Sequence, residues 1–252
     1  MIKSRVTKRW NEGIRLGVNI DHCATLRQVR GGVTPYPNLI ECAEWVLQGG
    51  GDLITIHLRE DRRHIQDHDL FQLVRWRKLP INLELAPQKT MLKIALQAKP
   101  DWICFVPEKR RELTTEGGLN LKECQSFFKK HLPLIRSHNI FVSLFIGADL
   151  EQVRMSAELG VDAVEFHTGH WVLARGKKKE QEWKALKQAA RLAHQLGLSV
   201  HAGHGLDYQH AERIRKLPFL EEVNIGHSLV CYALEYGLKE AVRRMTLILS
   251  GS

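Results

Sequence analysis

Leu53-Ile-Thr-Ile-His-Leu-Arg-Glu-Asp-Arg-Arg-His64 is the stretch from which the fold of this 252-residue chain can be read. Its first residues, Leu53 to Ile56, are apolar and β-branched, the pattern of a buried strand. The strand then empties into two histidines, three arginines and two acids between His57 and His64. Those side chains suit proton transfer and the binding of anionic oxygens. A solvated charge run at a strand exit is the plain alternative for these eight residues taken alone.

Strands of the same kind recur along the chain. Besides Leu53–Leu58 they are Leu16–Ile20, Ile81–Leu85, Trp102–Val106, Ile140–Ile146, Ala163–Phe166, Leu198–His201 and Glu222–Ile225. Helical periodicity fills most of the intervals. Asp149 is placed to cap one helix and Gly160 to stop it. Glu180 to Leu196 forms another, ended by Gly197, and Ser228 to Leu249 reads as one long closing helix. Strands alternating with helices predict a parallel sheet. Eight such units in about 250 residues match the (β/α)8 TIM barrel with extra helices; a doubly wound open sheet is the second solution. No linker divides the chain, so residues 16–252 are expected to form a single barrel domain behind a basic, mobile arm of residues 1–15.

Lys plus Arg number 37 against 28 for Asp plus Glu, a net charge of +9, which suits anionic partners such as phosphorylated metabolites. The five cysteines include no C-x-x-C pair, consistent with reduced thiols in a cytoplasmic protein, and Cys104 is expected in the core. The basic start has no apolar stretch behind it and is not a secretory signal. No window is long and apolar enough for a membrane span. Positive charge also fits nucleic acid, but aromatics are only 7% and no binding motif is present, so no nucleic-acid partner is expected.

All strand C-termini of a parallel barrel open on one face, where active sites are built. The exits are polar: Asn19, Asp21 and His22; His57 and Arg59; Glu84; Glu108 and Lys109; Glu165 and His167; His201 and His204; Asn224, Gly226 and His227. Glu84 and Glu165 stand inside apolar alternation, where a carboxyl must be paired, hydrogen-bonded or protonated. Burial would raise each towards the range useful in acid–base catalysis. The turns Ala202-Gly-His-Gly205 and Ile225-Gly-His-Ser228 follow strands seven and eight, where barrels often hold phosphate. The charged loop from Glu108 to Gly118 is placed to act as a lid.

Ten motifs in order resemble the pyridoxine 5′-phosphate synthase family of vitamin B6 biosynthesis. They are Gly17-Val-Asn-Ile-Asp-His22, Ala24-Thr-Leu-Arg27, the octet His57–His64, Asn82-Leu-Glu84, Val106-Pro-Glu-Lys-Arg110, Thr114-Thr-Glu-Gly-Gly118, Val142-Ser-Leu-Phe-Ile146, His167-Thr-Gly169, Ala202-Gly-His-Gly-Leu206 and Asn224-Ile-Gly-His227. The resemblance implies a barrel assembled as a homo-octamer. The implied reaction condenses 1-deoxy-D-xylulose 5-phosphate with 3-amino-2-oxopropyl phosphate to pyridoxine 5′-phosphate, inorganic phosphate and water, with no metal and no cofactor. It further implies His57 and Glu84 as proton acceptors, His204 as proton donor and Glu165 as transition-state stabiliser. Asn19 and Arg30 would contact the amino-ketone substrate; Asp21, His22, Arg59, His64 and Thr114 the deoxyxylulose phosphate; Gly205, Gly226 and His227 the phosphate end. The chain departs from the family pattern in the length of its arm, at Gly147 (commonly Asp), at His201 (usually Asn) and over residues 170–179. A metal-dependent sugar-phosphate epimerase or aldolase using His57, Glu84, His167 and His204 is the rival enzyme.

Overall fold

A computed structural model of the chain describes residues 13–108 and 117–251. Eight parallel strands close in sequence order into a barrel: β1 (Arg15–Asn19), β2 (Leu53–His57), β3 (Ile81–Leu85), β4 (Trp102–Phe105), β5 (Phe141–Ile146), β6 (Ala163–His167), β7 (Ser199–Gly203) and β8 (Leu220–Ile225). The expected (β/α)8 barrel is therefore the observed fold, and the open sheet is excluded by the pairing of β1 with β8.

The helices are α1 (Asp21–Gln28), α2 (Leu39–Gly49), α3 (Asp67–Trp76), α4 (Lys89–Ala98), α5 (Leu121–Ser137), α6 (Leu150–Leu159), α7 (Gly169–Leu173), α8 (Gly176–Gln195), α9 (Tyr208–Ile214), α10 (His227–Tyr236) and α11 (Leu238–Ser250). Local chemistry sets several of the ends. Asp149 accepts hydrogen bonds from the N–H groups of Glu151 and Gln152, and Gly160 closes α6 in the left-handed region, both as expected. The single closing helix is instead two. Gly237, at φ +78° and ψ 151°, takes a backbone conformation that glycine readily adopts and breaks α10 from α11. The second piece then turns back to pack on α2 and on α10.

Alternation along the strands divides the interior into two regions. One set of side chains, including Leu16, Val18, Ile54, Ile56, Leu83, Ile103, Leu144, Val164, Val200 and Val223, points outward and joins the helices in one large apolar core. The alternate set points into the barrel axis. There Arg15, Thr55, Asn82, Glu165, His201, Glu222 and Asn224 are all buried, and Cys104, Val106 and Phe145 form a small separate apolar cluster. Cys104 is thus buried as expected, but in the polar axis. Two glycines make room for the axial network. A Cβ at Gly17 would come within 2.0 Å of Asn224 Oδ1, and one at Gly203 within 2.1 Å of Glu165 Oε1.

Arg15, expected as the last residue of the basic arm, is the first residue of β1. It is drawn into the barrel by Glu222, which its guanidinium meets at 3.0 Å. Residues 1–12 of the arm lie outside the described residues. Among the described residues no helix is long and apolar enough to cross a membrane.

Candidate active site

The exits of β1 to β4 converge on the His57 imidazole. Asn19 Nδ2 donates to Asp21 Oδ2 at 2.8 Å, while the Asp21 N–H donates to Asn19 Oδ1 at 2.9 Å. Asp21 Oδ1 in turn accepts the backbone N–H of His57 at 2.8 Å. The His57 ring lies between two carboxylates, with Nδ1 3.8 Å from Glu84 and Nε2 3.6 Å from Glu108. Arg59 is buried, its Nε 3.7 Å from both Glu108 and Asp61. The His64 ring centroid is 6.2 Å from that of His57, and its Nδ1 accepts the Ile65 N–H at 2.9 Å.

The two carboxyls beside His57 are shifted in opposite directions. Burial pushes the Glu84 carboxyl well above the usual range, and the charges of Glu165 and Asp21 push it further. Burial also works upward on Glu108, but the facing His57 ring, the Glu60 N–H and Arg59 outweigh it and hold that carboxyl low. Two carboxyls whose proton affinities are pushed apart, on either side of an imidazole, form an arrangement suited to proton exchange.

The exits of β6 to β8 build the other side of the mouth. Thr168 Oγ1 lies 2.8 Å from the Gly203 carbonyl and 2.6 Å from that of His204 and shares its one proton between them, pinning the turn after β7. His204 there has φ +76°, an uncommon conformation for a side-chain-bearing residue. Its ring stacks on His167 at 4.8 Å, and His167 meets His170 at 4.8 Å and Phe145 at 5.4 Å. Burial, then the charge of His170, lowers the pKa of His204. Gly205 follows with φ +78°. At the end of β8, Gly226 packs so tightly on Asn19 that a Cβ would stand 2.9 Å from the Asn19 Cβ. His227 begins α10 and meets the His22 ring edge-on at 5.0 Å. The mouth thus joins the first exit to the eighth, with the N-terminus of a ten-residue helix at the seam. Backbone N–H groups there suit a phosphate.

Two candidate residues are not brought into this set. Arg30 lies in the exposed turn after α1, without contact to the other candidates among the described residues. Thr114, like most of the expected lid between Glu108 and Gly118, lies outside the described residues. The four-residue metal set of the rival reading is not assembled. Asp21, His57 and Glu84 instead bring one ligand atom each within 4.8 Å of one another, but both Asp21 oxygens already accept hydrogen bonds from the protein. Gly147 faces open space, where an added Cβ meets nothing within 4 Å, so the departure there removes no packing. Sequence reasoning missed Arg15, Thr55 and Glu222 as neighbours of the site. The signal available was polar residues at alternate strand positions, as with Thr55 and His57 in β2 and Glu222 and Asn224 in β8.

The family model described as pyridoxal phosphate biosynthesis protein PdxJ matches residues 16–251. The chain belongs to the PdxJ family. A pyridoxine 5′-phosphate synthase of Bdellovibrio bacteriovorus is 59% identical over 94% of this PdxJ-family chain and 98% of its own. One of Sulfurihydrogenibium sp. is 49% identical over 94% and 98%. The expectation of an enzyme of this family is met by these matches. A tryptophan synthase structure from M. tuberculosis superposes with a TM-score of 0.65 at 11% identity, covering 96% of this chain and 95% of that one; at that identity the likeness is one of fold alone.

Proposed function

We propose that this PdxJ-family chain is a pyridoxine 5′-phosphate synthase, joining 1-deoxy-D-xylulose 5-phosphate to 3-amino-2-oxopropyl phosphate with release of inorganic phosphate and water. The observation that carries the reading is the His57 ring between Glu84 and Glu108 at one mouth with His204 and the two glycine turns. The amine of one substrate attacks the ketone of the other to form an imine. Proton transfers, loss of phosphate and ring closure follow. Each step needs an acid or base within hydrogen-bond reach and of near-neutral pKa.

In this reading His57 and Glu84 accept protons, His204 returns them, and Glu165 stabilises the charge that develops in between. Asn19, Arg30, Gly205, Gly226 and His227 receive the amino-ketone and its phosphate. Asp21, His22, Arg59, His64 and Thr114 receive the deoxyxylulose phosphate. Burial lowers the pKa of both His22 and His64, so near pH 7 they meet a phosphate as neutral hydrogen-bond donors, and the dianion draws a proton onto them. A homo-octamer of single barrel domains in the cytoplasm, acting on small phosphorylated substrates, belongs to the same reading and is supported by the family resemblance.

Calorimetric titration with each phosphorylated substrate separately tests it. Saturable binding of both is expected; folded protein that binds neither contradicts the reading.

A further inference from the structure

Beneath the mouth, a directed hydrogen-bond chain runs along the barrel axis to Glu165. Asn82 Nδ2 donates to Thr55 Oγ1 at 3.4 Å, and the Thr55 hydroxyl then donates to Asn224 Oδ1 at 2.7 Å. That fixes which end of the Asn224 amide is the donor. Its Nδ2 carries two hydrogens and serves two carboxyls, Glu165 Oε2 at 2.9 Å and Glu222 Oε1 at 3.1 Å. Arg15 grips the other oxygen of Glu222 through Nε and Nη2, at 3.1 and 3.0 Å. His201 Nδ1 lies 3.3 Å from Glu222 Oε1.

Two carboxyls bridged by one amide in a buried barrel axis cannot both ionise cheaply. The cation sits on Glu222. The other groups around Glu165 are Cys104 from β4, with its sulfur at 3.8 Å, and Glu84 from β3, a second acid whose ionisation a charge on Glu165 would oppose. From β7 come Gly203 and His201, the latter kept neutral first by burial. None of these supplies a cation to Glu165. Its free oxygen, Oε1, lies over Gly203, where no side chain stands.

We infer that Asn224 and the Arg15–Glu222 pair are positioning residues for Glu165: they hold its carboxyl by one oxygen and keep the axial negative charge on Glu222, so that Glu165 meets the reactants as a neutral acid. Burial first, then the Glu222 charge, pushes that carboxyl up to about 8, and the Asn224 hydrogen bond pulls it partly back. The part played by Glu165 in turnover rests on the proposed function. Its protonation state in the free protein does not.

Infrared titration of the substrate-free protein, with Glu165→Gln to assign the protonated carboxyl band, separates the two. Glu222→Gln should lower the Glu165 midpoint by about one unit or more, a tenfold loss of proton affinity. Asn224→Ala should raise it. Opposite shifts are not expected of residues that merely support the fold. In the assay, the basic limb of the kcat profile should move with the midpoint while KM below it stays put. Should Glu222→Gln fail to fold with Arg15 unpaired, the double variant Arg15→Met/Glu222→Leu removes both charges and should show a smaller fall in the same direction, because Glu222 is the nearer charge to Glu165. A Glu165 midpoint unmoved in the folded variants, or a Glu165 already ionised at pH 6 in the parent, overturns the inference. Absence of condensation by the parent, with these shifts intact, overturns the proposed function alone.

Discussion

Asp21 Oδ1 accepts the backbone N–H of His57 at 2.8 Å. The bond ties the exit of β1 to that of β2 and fixes the height at which the His57 ring enters the mouth. Because it uses the main chain of His57, the ring nitrogens stay available to Glu84 and Glu108.

Replacing Glu84 by Gln keeps the shape of the side chain and removes its proton chemistry. Turnover should fall by about a hundredfold or more, while the affinity for each substrate, measured by calorimetry, changes little. Unchanged turnover would remove Glu84 from the proton path.

Arg59→Ala should weaken binding of deoxyxylulose phosphate by about tenfold or more, because a buried guanidinium facing a phosphate dianion is lost. Equal affinity in parent and variant would show that the phosphate binds elsewhere. Some loss of stability is also expected, since Glu108 loses its cation, whereas Asp61 keeps Arg63 at 2.7 Å.

The His204 imidazole is held below its ordinary pKa by burial and then by His170. Its NMR titration in the free protein should therefore fall below about 6.5. A bound phosphate dianion should raise it, converting the ring into the proton donor at neutral pH. A midpoint indifferent to inorganic phosphate and to both substrates would count against that role.

Glu165 also gives stability a pH dependence. Its carboxyl is raised from 4.5 to about 8 in the folded protein. Between those values the folded state holds a proton that the unfolded chain releases. Its contribution is therefore complete below about 4.5 and is lost as pH rises towards 8. Urea unfolding of the parent and Glu165→Gln at pH 5 and pH 8 should show the variant gaining relative stability at the higher pH. A constant difference would mean that Glu165 titrates normally.

Much of this was legible in the chain. Each strand carries β-branched or aliphatic residues on the side that meets the helices, so Ile54 and Ile56 or Leu83 and Leu85 mark their strands unaided. The exits then follow from barrel geometry, which is why His57, Glu84, Glu165 and His204 could be named before any contact was known. The axial network could not. Arg15 and Glu222 look like ordinary surface charges until the register places Arg15 opposite Glu222 across the β1–β8 seam. The break at Gly237 was hidden for a different reason: apolar spacing continues through it, and only its backbone angles show that the helix stops.

Gly203→Ala probes the close packing of the axis. The added methyl would meet Glu165 Oε1 at 2.1 Å, so a cost of about 1–3 kcal/mol is expected, with turnover falling as Glu165 is displaced. A variant as stable and active as the parent in thermal melts and assays would mean the axis can open.

The most direct test mixes purified protein with both phosphorylated substrates, with and without EDTA, and follows pyridoxine 5′-phosphate by mass. The proposed acid–base mechanism predicts product in both tubes. Folded protein that makes none would contradict the proposed synthase, and product lost only with EDTA would contradict a mechanism carried by His57, Glu84 and His204 alone.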